Sequence, residues 1–127
     1  MKEQVKKLSK RTLIEKKDRP KITNGTTTKV QCGCGHLYIT INRANGDIFE
    51  IFAVLGKAGG CACAQNEALT RCITLGLRYG IPIEEYIDQL DNIKCPSPIY
   101  DGKEPIYSCA HAIATVLKRE MNNGRNL

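Results

Sequence analysis

The sequence predicts an α+β fold: a small antiparallel β-sheet of about three strands, followed by two to three helices packed on one face. Two observations carry this. Alternating apolar and polar residues, with an Asn-Gly pair between two such runs, are confined to the stretch before Gly56. Apolar residues at helical spacing are confined to the stretch after Gly60.

Taken in order, Lys2 to Lys17 has apolar residues only at Val5, Leu8, Leu13 and Ile14, enough for a marginal helix that ends before Arg19-Pro20. Asn24-Gly25 reads as a turn. Threonine-rich Thr26 to Gln31 favours a strand, and Cys32-Gly33-Cys34-Gly35 a turn after it. Leu37, Ile39 and Ile41 then alternate with Tyr38, Thr40 and Asn42, the pattern of a strand buried on one face. Asn45-Gly46 supplies the positive backbone dihedrals of a tight hairpin, and Ile48 to Leu55 returns as a further strand. Phe49, Ile51 and Ala53 lie on one face of that strand and Ile48, Phe52 and Val54 on the other, which predicts the central strand, covered on both sides.

Gly56 to Gly60 breaks the strand. Ala62, Leu69, Cys72, Ile73, Gly76 and Leu77 recur at helical spacing up to a stop at Gly80. Pro82 suits the first turn of a short helix with the face Ile83, Tyr86, Ile87 and Leu90. Cys95 to Pro105 reads as a loop. Ser108 caps a last helix whose stripe is Ala110, Ile113, Val116 and Leu117, with Asn123-Gly124 as its end. The organisation is a basic arm over 1–18, one domain over 19–120 and a tail over 121–127.

The net charge of +6 resides in the arm: residues 1–21 hold nine basic and three acidic residues, and the remainder balances ten against ten. The arm therefore predicts at most weak contact with a polyanion, and it lacks the interleaved aromatics that stack on bases. No apolar run is long enough to span a membrane, and the amino terminus lacks the apolar stretch of a signal peptide, so the expected location is the cytoplasm. The composition admits an oligomer.

Seven cysteines, an odd number without an export signal, point away from a disulfide framework and towards metal or thiol chemistry. Cys34 falls in a glycine turn, Cys61 and Cys109 at helix starts and Cys95 in a proline loop. All four stand at ends of elements, where ligands from distant segments can converge on a structural zinc ion. Such an ion contributes on the order of 10 kcal/mol or more, comparable with the stability of a whole small domain. His111 and His36 are candidate additional ligands. Cys72, within an apolar helix face, reads as a packed core residue.

Two other chemistries compete. Gly56-Lys57-Ala58-Gly59-Gly60 ahead of a helix is an expected phosphate site of a nucleotide-binding or nucleotide-sequestering protein, with Lys57, Gly59, Gly60, Arg71 and Arg78 as its residues, although the order is not that of a Walker loop. Cys61 and Cys63 at a helix amino end suggest thiol redox exchange, without the usual two-residue spacing.

With these positions in view, the sequence resembles the TSCPD domain, the carboxyl-terminal module of class II, cobalamin-dependent ribonucleotide reductases that also occurs as separate short proteins. The resemblance rests on Arg19-Pro20 followed by Gly25-Thr26, on CGHLYITIN from Cys34, on the stretch from Ile48 through Cys95-Pro96-Ser97-Pro98, and on YSCAHAIATVL from Tyr107. It covers about residue 19 to 118. The resemblance implies that Cys34, Cys61, Cys95 and Cys109 are the family's regular cysteines, and that Cys32, Cys63 and Cys72 are replaceable. The name-giving Ser-Cys-Pro-Asp reads Ser108-Cys109-Ala110-His111 here, which removes any role for the aspartate. Because the reductase reaction needs a large catalytic barrel, the resemblance implies a noncatalytic, zinc-binding accessory domain that acts with a ribonucleotide reductase or in nucleotide metabolism.

Overall fold

The computed structural model describes residues 15–56 and 60–125, with side chains to residue 123. The expected amino-terminal helix and the loop residues Lys57 and Gly59 therefore fall largely or wholly outside the described residues. Within them, residues 15–20 form no helix.

Three strands, β1 (Asn24–Cys32), β2 (Gly35–Ala44) and β3 (Asp47–Leu55), form an antiparallel sheet in the order β1-β2-β3. Helices α1 (Cys61–Arg78) and α2 (Ile83–Leu90) follow, then a hairpin of β4 (Ile99–Asp101) and β5 (Glu104–Ile106), and finally α3 (Cys109–Arg125). The expected α+β architecture is observed. The short hairpin replaces part of the loop expected over Cys95 to Pro105, and Gln31 N–H donates to Asp101 to hold it beside β1. Two three-residue strands carry too little periodicity to be read from a sequence.

Val30, Leu37 and Leu55 lie side by side on the inward face, as do Ile41 and Ile51. Against them α3 buries Ala112, Ile113, Ala114, Val116 and Leu117, so this helix is covered on more sides than the expected single stripe. Ser108 caps it as expected, its Oγ accepting from His111 N–H at 3.0 Å. The helix passes through Asn123-Gly124 to Arg125.

Three expectations are corrected. First, β3 is an edge strand and β2 the central one, because Phe52 and Val54 stay exposed on the outward face. Its outer edge is covered instead by α1: the Thr74 hydroxyl accepts from Ile51 N–H and donates to Ile51 C=O, both at 3.0 Å. One side chain thus satisfies both backbone groups that an edge leaves unpaired. Secondly, Cys72 is exposed; the buried side of α1 is Asn66, Thr70, Ile73 and Leu77. Thirdly, Asn24-Gly25 is not a turn but the start of β1, where Gly25 faces Asn42 so closely that a Cβ would stand 1.9 Å from Ile41 O.

That glycine makes room for a polar centre. Glu50 is on the outward face of β3 and yet only 2% exposed, because the segment carrying Arg19, Pro20 and Thr23 crosses over it. Arg19 grips both carboxylate oxygens at 2.9 Å through Nε and Nη2, Thr23 donates at 3.1 Å, and Asn42 Nδ2 at 2.9 Å. The Arg19 hydrogen bond is the chief cause that holds the Glu50 pKa below its ordinary 4.5, against burial, which raises it.

Replacing Glu50 with Gln should destabilise the protein by about 1–3 kcal/mol in urea titrations, since Arg19 loses its counter-charge in a partly dry site. Because the folded pKa is depressed, the contribution is present above the unfolded carboxylate value and is lost as pH falls through the folded one; E50Q should therefore flatten the acid side of the stability profile. Independently, Thr74→Val, nearly equal in volume, should cost about 1–2 kcal/mol by stripping Ile51 of both partners, measured by the same titration.

Candidate functional site

The fold gathers cysteines at one end of the sheet. Cys32 is the last residue of β1, on the same inward face as Val30, and is 3% exposed. Its sulfur lies 3.5 Å from that of Cys109, the first residue of α3. Cys34, in the β1–β2 turn, interacts with Cys109 and more distantly with Cys95. The Asn66 amide of α1, which donates to Ala62 C=O at 2.9 Å, opposes the upward shift of the Cys109 pKa.

Backbone contacts hold these segments together. Cys95 N–H donates to Tyr107 C=O at 2.9 Å, and Ser108 Oγ–H to Ile93 C=O at 2.6 Å, so the loop after α2 is laced to the start of α3. Ser97 N–H points at the Cys95 sulfur at 3.4 Å. Gly33 lets the β1–β2 turn close on this loop: a Cβ there would sit 2.0 Å from Ser97 O, so only glycine fits.

The thiols are electrically unequal. Cys32 and Cys109 share a sulfur–sulfur hydrogen bond in which either thiol can donate, and this bond, against the opposing effect of burial, brings the Cys32 pKa down from 9.0 to about 7. The same bond, followed by burial, drives Cys109 far up. Cys34 is raised chiefly by burial of its sulfur, then by Cys109.

Of the four cysteines expected to converge, Cys34, Cys95 and Cys109 share this neighbourhood. Cys61, exposed at the start of α1, takes no part in the interactions among them, and Cys32 stands in the cluster instead. The family resemblance implies that Cys32 is replaceable; the signal in the sequence that points to it is the period-2 continuation of Val30 to Cys32 along the buried face of β1. Cys63 packs partly against the core. Among the described residues, no group of three or more Cys, His, Asp or Glu side chains is drawn closely enough together to hold a metal ion as it stands.

The remaining candidates are dispersed. His111 is buried with both ring nitrogens engaged: Nδ1 accepts from Tyr107 N–H at 3.1 Å, and Nε2 faces Asp91 at 3.5 Å. Asp91 in turn pairs with Lys118, so this histidine ties α3 to the end of α2. His36, paired with Gln31, lies near the mouth of the β1–β2 turn. Of the glycine loop, Gly60 is described, with a φ of +88° at the entrance to α1. Arg71 and Arg78 lie ten and seventeen residues beyond Cys61, roughly 15 and 25 Å along the helix axis, so they do not converge on that loop. Arg78 Nε donates instead to Lys17 C=O at 2.9 Å.

The characteristic profile of the family described as "TSCPD domain" matches residues 6–121. The chain belongs to the TSCPD domain family. Among curated relatives, the vitamin B12-dependent ribonucleotide reductase of Streptantibioticus cattleyicolor is 28% identical over 108 residues, 84% of this chain and 18% of that one. Those of Streptomyces clavuligerus and Agrobacterium fabrum are 30% identical over 80 residues and 28% over 106, in each case 8% of the relative's length. This TSCPD chain thus spans less than a fifth of the relatives it matches. No solved structure matches. Among the described residues, no helix is long and apolar enough to cross a membrane.

Two outcomes check the thiol geometry. Gly33→Ala should destabilise the domain by about 1–3 kcal/mol, because the backbone of Ser97 has to retreat. Replacing Cys109 with Ala should raise the Cys32 pKa, since the largest cause that lowers it is removed and only the Cys34 backbone hydrogen bond still opposes burial; the pH dependence of the Cys32 13Cβ shift in metal-free protein reads this directly.

Proposed function

We propose that this chain is a noncatalytic accessory module of ribonucleotide reduction, acting by association with a ribonucleotide reductase polypeptide. The observation that carries the reading is the family match: the shared region is a small module of proteins named for that reaction. A packed core and a half-buried thiol cluster suit a docking module better than a substrate cleft. The test is to add the purified chain to a vitamin B12-dependent ribonucleotide reductase whose own TSCPD module has been deleted. The expected result is a co-eluting complex and a several-fold recovery of deoxyribonucleotide formation; no complex and no recovery would remove the proposal.

A structural zinc ion is the second reading, favoured by the gathering of Cys34, Cys95 and Cys109 with Cys32 as a fourth sulfur. Zinc prefers four such donors in a tetrahedron, and the Cys34 turn and the Cys95 loop would have to close on it. Purified protein should then hold close to one equivalent of zinc and lose much of its thermal stability in chelator. Metal-free protein with an unchanged melting temperature would dismiss it.

A further inference from the structure

We infer that Cys32 and Cys109 form a reversible disulfide, reached from solvent through Cys34. The carrying observation is spatial. Two free thiols 77 positions apart in the chain meet at 3.5 Å, at the junction of the sheet and the helix that fills its face. Bond formation draws the sulfurs to about 2.0 Å, which asks for a small approach of two side chains. Cys32 is buried and Cys109 half-buried, whereas Cys34, two residues beyond Cys32 in the β1–β2 turn, is exposed and sets a solvent-accessible thiol beside the buried pair.

The step is a thiol–disulfide exchange with an oxidised low-molecular-weight disulfide, RSSR. The Cys34 sulfur attacks one sulfur of RSSR, which breaks its S–S bond and releases the first RSH. Cys109 attacks the Cys34 sulfur of the mixed disulfide and releases the second. Cys32 then attacks Cys109, and Cys34 leaves as a thiol. The pair Cys32 and Cys109 has lost two electrons and two protons, RSSR has become two RSH, and Cys34 is unchanged. A dithiol reductant reverses the sequence. The product ties the end of β1 covalently to the start of α3, and so locks the sheet to its covering helix.

This inference does not rest on the accessory-module reading. It competes with zinc for Cys109, so it is tested on chelator-treated protein with the zinc content of the starting material measured in parallel; a negative redox result then leaves the zinc result standing on its own. The full chain is incubated with oxidised glutathione, and free thiols are counted by mass spectrometry after alkylation. The expected count falls from seven to five, peptide mapping links Cys32 to Cys109, the melting temperature rises by several degrees, and dithiothreitol restores all seven. Cys34→Ser should reach the same product at least several-fold more slowly, whereas Cys72→Ser should match the unsubstituted protein. Retention of seven thiols, or a disulfide between another pair such as Cys61 and Cys63, overturns the proposal. An unchanged rate in Cys34→Ser overturns the path through Cys34. Because Cys109→Ser can unsettle the start of α3, Cys32→Ala serves as a second variant, in which the exchange should stop at a Cys34–Cys109 disulfide; loss of two thiols in Cys109→Ser, or a disulfide in Cys32→Ala that excludes Cys109, would also overturn the assignment.

Discussion

A carboxylate cannot be taken out of water unless donors replace the water, and the position of Glu50 under the amino-terminal strap imposes that requirement on three segments of this protein, the strap itself, β1 and β2. Arg19 must reach from the strap, Thr23 from its end and Asn42 from the neighbouring strand, and Gly25 must lack a side chain so that Asn42 has room. The pair is one-sided: the Glu50 side chain is 3% exposed, whereas Arg19 is 45% exposed. The guanidinium keeps part of its hydration while the carboxylate gives its own up. This limits the desolvation cost of a buried ion pair, and it makes the strap's position depend on one geometry.

The same logic of distant segments meeting at element ends organises the thiols. Cys32 ends a strand and Cys34 follows in its turn, Cys95 lies in a loop and Cys109 opens a helix. A main-chain hydrogen bond from Cys95 to Tyr107 and one from the Ser108 hydroxyl to Ile93 C=O fix the loop to the helix before any sulfur contact is counted. The cluster is therefore a product of the framework rather than its cause.

Much of the fold was legible because its signals are local. The alternation over Leu37 to Ile41, the Asn45-Gly46 turn with φ of 54° and 86°, and the Ser108 cap all report on neighbours a few residues away. What was not legible depends on partners far along the chain. Ile48, Phe52 and Val54 look like a second buried face, yet strand order, which no local pattern encodes, leaves Phe52 and Val54 at the surface. Position at element ends singled out Cys34, Cys95 and Cys109. It could not separate Cys61 from Cys32, because both flank glycines and only the three-dimensional register decides which sulfur faces Cys109. Arg19-Pro20 was noticed as a motif, but its function as a cover for Glu50 required the sheet to be in place.

The burial of α3 on several sides has a consequence for how the chain acquires its structure. This helix packs on strands whose residues precede it by some seventy to ninety positions, as the Thr26–Glu120 hydrogen bond across 94 positions illustrates. Until residues 109–125 have been synthesised, the inward sides of β1 and β2 lack the helix that contributes Ala112, Ile113, Val116 and Leu117 to their core, and Leu37, Ile39 and Ile41 are less completely covered. Such non-local closure is slow compared with helix formation. In vivo maturation of this domain is thus tied to the completion of translation through its last helix, and the emerging sheet is the stage at which a chaperone has most to protect.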